Sequence, residues 1–332
     1  MREPPALIAP ESLAAAVRAA YGLETKLSFL PLGHDSSSWV YKAQPAAGPP
    51  RFLKLRAGPL NEPALRVPRL LHSLGVPGIV APIPTLAGAL WAAAGPYALT
   101  LYPFVAAESG MAAGLTDRQW IAYGEALRQI HAAPVPPELA ALMRRESFVP
   151  PGADVVRRAD AALRAASAEP SARALAALWR ERRAEIMHLL ARAEALGREL
   201  AHRRPPLVLC HADIHTGNVL RDGDERIWIV DWDETVLAPK ERDLMFVVGG
   251  ISRQLVGPRE QALCLQGYGP AQLDQGALAY YRYAWAVSDT AAYAADVLFR
   301  PDLGPVAREE ALAGLARLFA PGEIVNIARA AE

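Results

Sequence analysis

The stretch His211-Ala-Asp213-Ile-His-Thr-Gly-Asn218 sets a carboxylate and an amide on one loop, and a second carboxylate, Asp231, closes the apolar run Ile227-Trp-Ile-Val230. Those residue types suit phosphoryl transfer. Asp213 can orient an acceptor hydroxyl and take its proton late in a loose transfer. Asn218 and Asp231 offer hard oxygen donors, and Mg2+ beside nucleotide phosphates needs only one or two of these. A different chemistry would use His211, Asp213 and His215 as transition-metal ligands, but the other histidines form no second ligand cluster. A third reading makes Asp213, Asn218 and Asp231 turn and helix caps. Cys210, beside His211, ends an apolar strand and reads as a small buried hydrophobe rather than a nucleophile.

Other residues could complete a nucleotide site. Lys54 stands among apolar neighbours in Arg51-Phe-Leu-Lys-Leu55, out of pattern unless its ammonium meets an anion such as a phosphate. Glu62, near the start of the next helical segment, is its expected orienting anion, or else a helix-capping residue. In Gly33-His-Asp-Ser-Ser-Ser38, backbone amides with the hydroxyls of Ser36, Ser37 and Ser38 can cradle phosphate oxygens. In Leu101-Tyr-Pro-Phe-Val105 an adenine would find an acceptor at Tyr102 or Phe104 and a donor at Phe104 or Val105, because Pro103 has no N–H. The chain has no Walker A sequence and no G-x-G-x-x-G.

These positions need elements to hold them. The alternation predicts strands at Leu27–Leu30, Trp39–Ala43, Arg51–Leu55, Ile79–Ile83, Ala89–Trp91 and Ala98–Tyr102, and a strand leading into Cys210. Helical spacing is read at Ser12–Tyr21, Pro63–Leu74, Asp117–His131, two long segments broken at Pro170, and, after the loop, near Asp243–Ile251, Arg259–Tyr268, Gly276–Phe299 and Arg308–Phe319. A strand-rich first third therefore precedes a mainly helical remainder. That order suits an α+β chain of two lobes with a cleft between them, divided at residues 1–103 and 104–332.

Lys plus Arg and Asp plus Glu both number 35 of 332 residues, so the net charge is zero and supplies no field to attract nucleic acid or an anionic membrane. The arginines between residues 152 and 200 are interspersed with acids and read as solvated helix faces. Residues 70–107 carry no Asp, Glu, Lys or Arg, but five prolines interrupt them too often for a spanning helix. Two cysteines make no disulfide framework, and no basic-then-apolar leader opens the chain; a cytoplasmic monomer or homodimer is expected.

Taken together, His211-Ala-Asp213-Ile-His-Thr-Gly-Asn218 and Ile-Val-Asp231-Trp-Asp233 resemble the catalytic signature of the aminoglycoside phosphotransferase family of antibiotic and small-molecule kinases. Lys54-Leu-Arg-Ala-Gly-Pro-Leu-Asn-Glu62, Leu101-Tyr-Pro-Phe104, Leu237-Ala-Pro-Lys-Glu-Arg-Asp-Leu-Met-Phe246 and Tyr280-Tyr-Arg-Tyr-Ala-Trp285 support the likeness, which is strongest to its spectinomycin phosphotransferase branch. The resemblance implies a protein-kinase-like fold with a small antiparallel-sheet N-lobe and a larger helical C-lobe. It implies ATP and Mg2+ as cofactors, Asp213 as base, Asn218 and Asp231 as metal ligands, and Lys54 at a phosphate. The expected partner is a small-molecule hydroxyl acceptor, an aminocyclitol or aminoglycoside such as spectinomycin. Its cationic groups would need anions and aromatic faces, for which Asp233, Glu234, Asp289, Trp232 and Tyr281 are the candidates. The same motifs occur in choline, homoserine and sugar kinases, so a metabolic acceptor stays open, as does a non-catalytic nucleotide or ligand binder.

Overall fold

The computed structural model describes residues 3–5, 7–31, 37–165, 169–223 and 225–330. The fold is α+β, and the chain divides into two compact units, one of Met1–Met143 with Thr216–Thr235, the other of Arg144–His215 with Val236–Glu332. Its strands are β1 (Thr25–Leu30), β2 (Ser38–Pro45), β3 (Arg51–Ala57), β4 (Ala92–Ala94), β5 (Tyr97–Pro103), β6 (Glu108–Ser109), β7 (Val208–Cys210), β8 (Val219–Arg221), β9 (Ile227–Ile229) and β10 (Val236–Ala238).

In the first unit, an antiparallel sheet runs β1-β2-β3-β5-β4. Strand side chains alternate between faces, and here the two faces differ. Leu53 and Leu55 of β3, Leu99 and Leu101 of β5 and Tyr41 and Ala43 of β2 are buried with Leu13, Val17 and Tyr21 of the helix Pro10–Tyr21. Each of the leucines contributes roughly 1.5–3 kcal/mol by leaving water. The opposite face carries Lys54 and Arg56, each half-buried. In register, Lys54 lies between Val40 and Thr100, Arg56 between Ser38 and Ala98, and Phe52 beside Tyr102. Lys54 is thus on the middle strand, not on an edge.

A second small sheet, β6-β8-β9, belongs to the same unit. It is tied to the chain after the helix Glu62–Ser73: Ile229 N–H donates to Gly78 O at 2.7 Å and Val80 N–H to Ile229 O at 3.3 Å. Gly78 has φ +73°, and a Cβ there would stand 2.6 Å from the Ile227 carbonyl oxygen, so only glycine lets β9 approach. The strand expected at Ile79–Ile83 is reduced to one bridge, Ile79 with Ile229, since Pro82 and Pro84 cannot donate to a ladder. The strand expected at Ala89–Trp91 forms three residues later, as β4. β6, β8 and β10 are not among the expected strands.

The second unit is built around the helix Gln275–Leu298, which packs against Pro170–Arg203, Ala153–Ala162, Pro305–Leu318 and Ile324–Arg329. Pro170 sits in the first turn of its helix, where a missing N–H costs nothing, and Glu169 accepts the Ala172 N–H at 2.6 Å. Several arginines of this region are paired: Arg183 and Arg164 both bind Asp160, and Arg157 binds Glu194. β7 pairs with β10, which brackets the loop that follows Cys210. The helix expected over Asp243–Ile251 is a single turn, Glu241–Leu244, because Gly249 and Gly250 turn the chain at φ +78° and +65°. Among the described residues no helix is long and apolar enough to cross a membrane.

Candidate active site

The loop after β7 is held from beneath. Asp243 is fully buried, and its two carboxylate oxygens accept the His211 N–H at 2.9 Å and the Ala212 N–H at 2.6 Å. A carboxylate bonding two amides is a strong, charge-assisted anchor. It fixes Ala212 at φ +70°, a left-handed conformation that costs a non-glycine residue about 1 kcal/mol or more. Asp213 follows, half-buried, and its N–H donates to His211 Nδ1 at 3.3 Å, so His211 braces the loop with its unprotonated nitrogen. His215 Nε2 stands 3.6 Å from Asp213 Oδ1. Burial, reinforced by nearby His211, lowers the His215 pKa to about 4, so this contact is polar rather than ionic at neutral pH. Burial also pushes the Cys210 thiol far up, as suits a core side chain.

The first unit assembles a charged cluster on the open face of β3. Lys54 Nζ is 2.9 Å from Asp233 Oδ2 and 3.9 Å from Asp231 Oδ1. Arg56 Nη1 reaches the same Asp233 oxygen at 2.8 Å. Asn61 Nδ2 donates to the Asp233 carbonyl at 2.7 Å. Asp231 itself is at φ +64°, which aspartate tolerates better than most residues, and its carboxylate is half exposed. Asn218 belongs to this unit too: its carbonyl accepts the Val230 N–H at 3.1 Å, so β8 and β9 fix its position relative to Asp231. An amide oxygen and an accessible carboxylate are donors that fit Mg2+.

Two expectations on this side are corrected. Glu62 does not orient Lys54: it is exposed and pairs with Arg66 one helical turn on at 2.8 Å, lining a surface cavity of about 350 Å³ with Trp91. Asp233 was expected to face the acceptor, yet two cations and Asn61 occupy it. Glu62 is taken by a local i,i+4 pair, while Asp233 meets Lys54 and Arg56 from far along the chain, which local spacing does not show. Ser38 is buried opposite Arg56, the Ser37 carbonyl accepts the Ala57 N–H at 2.8 Å, and Ser36 lies outside the described residues. Tyr102 packs edge-on to Phe52, and burial with the nearby Asp233 and Asp231 charges raises its hydroxyl pKa strongly. Phe104 donates its N–H to Pro50 O at 3.4 Å, which leaves Val105 as the anticipated backbone donor, and Lys42 lies over the Phe104 ring.

Of the remaining acceptor candidates, Glu234 is exposed, while Trp232 is buried in the first unit. Tyr281 is a correction: it is 2% exposed, edge-on to Tyr280, with its hydroxyl unbonded, and so serves the core of the second unit. Asp289, on the helix Gln275–Leu298, is half-buried and receives a hydrogen bond from Trp285, and burial lifts its pKa to about 7. Trp285 is edge-on to Phe246 at 4.9 Å, and Phe246 to His215 at 6.1 Å. Contiguous rings thus join Asp289 to His215 and Asp213 within one unit. Arg56, Asn61 and Asp243 were not picked out as site residues. Only Arg56 had a local signal, since it stands two residues beyond Lys54 and must share its face.

The sequence profile described as "Phosphotransferase enzyme family" matches residues 28–295. A crystal structure of spectinomycin phosphotransferase APH(9)-Ia with ADP and spectinomycin is 33% identical, covers 98% of each chain and superposes with a TM-score of 0.89. The AMP-bound complex of the same enzyme, also 33% identical, covers 97% of this chain and 98% of its own at 0.85. A macrolide 2'-phosphotransferase from Brachybacterium faecium shares the fold, with 21% identity, coverage of 92% and 97%, and a TM-score of 0.56. No curated protein sequence matches the chain. With the fold, the loop and the cluster around Lys54 in hand, the chain belongs to the phosphotransferase enzyme family, kinases that use a nucleotide to phosphorylate hydroxyl groups of small molecules.

Proposed function

We propose that this kinase is an ATP- and Mg2+-dependent O-phosphotransferase of an aminocyclitol or aminoglycoside, with spectinomycin as the first candidate acceptor, and that it acts as a resistance enzyme in the cytoplasm as a monomer or homodimer. The observation that carries the reading is the likeness, over nearly the whole of both chains, to an enzyme crystallised with ADP and spectinomycin. Residues 1–103 would serve the nucleotide and residues 104–332 catalysis and the acceptor. Lys54 binds nucleotide phosphate, and the backbone at Tyr102 to Val105 takes the adenine. Asn218 and Asp231 would hold Mg2+, whose charge, when bound, offsets that of the phosphates.

Asp213 receives the acceptor hydroxyl. The hydroxyl oxygen bonds to the γ-phosphorus, the bond from that phosphorus to the ADP oxygen breaks, and the proton passes to Asp213. Asp243, by fixing the His211 and Ala212 amides, sets where Asp213 stands. Asp289 and the Trp285 ring offer an anion and an aromatic face to a cationic acceptor.

The test is a panel of aminocyclitols, aminoglycosides, choline, homoserine and sugars, each incubated with ATP and Mg2+ and read by mass spectrometry. A phosphorylated aminocyclitol supports the reading. Product from choline, homoserine or a sugar alone would replace it with a metabolic kinase, and no product from any acceptor would favour a non-catalytic binder.

A further inference from the structure

We infer that Arg282 and Arg253 form a binding site for a phosphate-type oxyanion in the helical unit, over the turn at Gly249 and Gly250. None of these residues has a part in the phosphoryl transfer described above. Arg282 lies on the helix Gln275–Leu298 and is half-buried. Its Nη2 donates to the Val248 carbonyl at 2.6 Å, and its Nε is buried with no hydrogen-bond partner. Gly249 has φ +78°, and a Cβ there would stand 2.7 Å from Arg282 Nη2, so the glycine makes room for the guanidinium. Gln261 Oε1 accepts the Gly249 N–H at 2.8 Å and fixes the turn. Arg253, after the turn, is exposed, and its N–H donates to Gly322 O at 2.8 Å.

No carboxylate serves this pair. Among the described residues, neither arginine makes an ion pair. Burial and then the charge of Arg253 lower the Arg282 pKa, and no acid opposes them. Glu323 lies across from Ser252, but its carboxylate accepts the Ser252 hydroxyl at 3.1 Å. Arg308 is the instructive comparison. Its Nε is also buried and unbonded, yet Glu169 stands 3.7 Å from its Nη1. An orphaned Nε is therefore not the signal. The signal is a half-buried cation whose charged neighbour is a second cation. Taking one charge from water is costly, and a like charge beside it adds to the cost. An oxyanion between the two offsets both, and guanidinium forks match its oxygens. The bound anion also braces the turn that follows Phe246, whose ring is edge-on to His215.

The experiment is thermal unfolding and calorimetric titration of the full chain with inorganic phosphate, against chloride at equal ionic strength. The proteins are wild type, Arg253→Met, Arg282→Lys and Lys54→Met. Wild type should bind phosphate, and its unfolding midpoint should rise by about 2–4 °C in millimolar phosphate over the chloride control. Arg253→Met alters an exposed side chain and so should fold as wild type, but lose at least about 10-fold in phosphate affinity. Arg282→Lys keeps the charge without the fork and should also bind more weakly. Lys54→Met should keep the response, which separates this site from the proposed nucleotide site. Phenyl phosphate in place of phosphate tells a phosphate ester from the free ion as the better ligand. Equal midpoints in phosphate and chloride would overturn the proposal. So would a response that Arg253→Met and Arg282→Lys leave unchanged, or one that Lys54→Met alone abolishes.

Discussion

The Asp243 carboxylate accepts the Ala212 N–H at 2.6 Å and thereby holds an alanine at φ +70°, one residue before the proposed base Asp213. Removing that acceptor leaves two buried amides unsatisfied and nothing to balance the strained turn. Asp243→Ala should destabilise the protein by about 2–4 kcal/mol. Asp243→Asn, which keeps one acceptor oxygen, should cost less. Both should lower kcat with little change in ADP affinity, because the residues assigned to ADP lie elsewhere on the chain. Thermal unfolding together with an ADP titration separates these effects; an Asp243→Ala variant with wild-type kcat would contradict the anchoring role.

Asp231 combines an unusual backbone with an accessible carboxylate. Asp231→Asn preserves the tolerance for φ +64° and removes the charge. It should fold normally and need far more Mg2+ for half-maximal activity. Asp231→Ala should suffer the same catalytic defect and lose a further ~1 kcal/mol of stability from the left-handed backbone. Magnesium titrations of initial rate, beside denaturant unfolding of the two variants, provide the comparison.

Asp289, proposed as an acceptor-binding anion, should make acceptor binding pH-dependent. Burial raises its carboxyl from 3.8 to about 7, so it is mostly neutral at pH 6 and mostly ionised at pH 8. A cationic acceptor that stays protonated over this range should bind more tightly as pH rises through about 7, and KM for it should fall. The free protein should show the opposite trend: a group whose folded pKa is raised contributes stability that is present below 3.8 and is lost as pH rises through about 7. Asp289→Asn should flatten both profiles. KM at several pH values for wild type and variant is the measurement, and parallel profiles would remove Asp289 from the acceptor site.

Asp160 supplies a control in the helical unit, where only stability should respond. It is 7% exposed and binds Arg183, Trp179 and Arg164; the Arg183 hydrogen bond is the main cause of a pKa lowered to about 2. A depressed carboxylate contributes stability that is full above about pH 4 and is lost as pH falls towards 2. The magnitude is about 2 kcal/mol. Asp160→Asn should be less stable at pH 7 by that order and should show a weaker loss between pH 4 and 2, as acid-titrated circular dichroism would reveal.

Much of this was legible before the structure. The alternation in β2, β3 and β5 is strong because one face of each strand enters a core, and that made Lys54 conspicuous among Leu53 and Leu55. The long helices were read within a few residues, since Pro170 and Gly269 punctuate them. What failed depended on partners remote in sequence. Glu62 looked like the anion for Lys54 because it was near, but Asp233 is nearer in space. Asp243 read only as the start of a helical segment, whereas its carboxylate holds the His211 and Ala212 amides. Tyr281 carried a suggestive aromatic pattern that the helix Gln275–Leu298 spends on packing. The short strands β6 and β8 had too few residues to show a period.

The central claim is that Asp213 takes the proton of an acceptor hydroxyl as phosphate leaves ATP. Its most direct test is ADP formation by wild type and Asp213→Asn with spectinomycin, ATP and Mg2+, with ATP binding measured on the same samples. The account predicts a phosphorylated spectinomycin from wild type, and an Asp213→Asn protein that still binds ATP but turns over at least about 100-fold more slowly. An Asp213→Asn variant that phosphorylates the acceptor at the wild-type rate would contradict it.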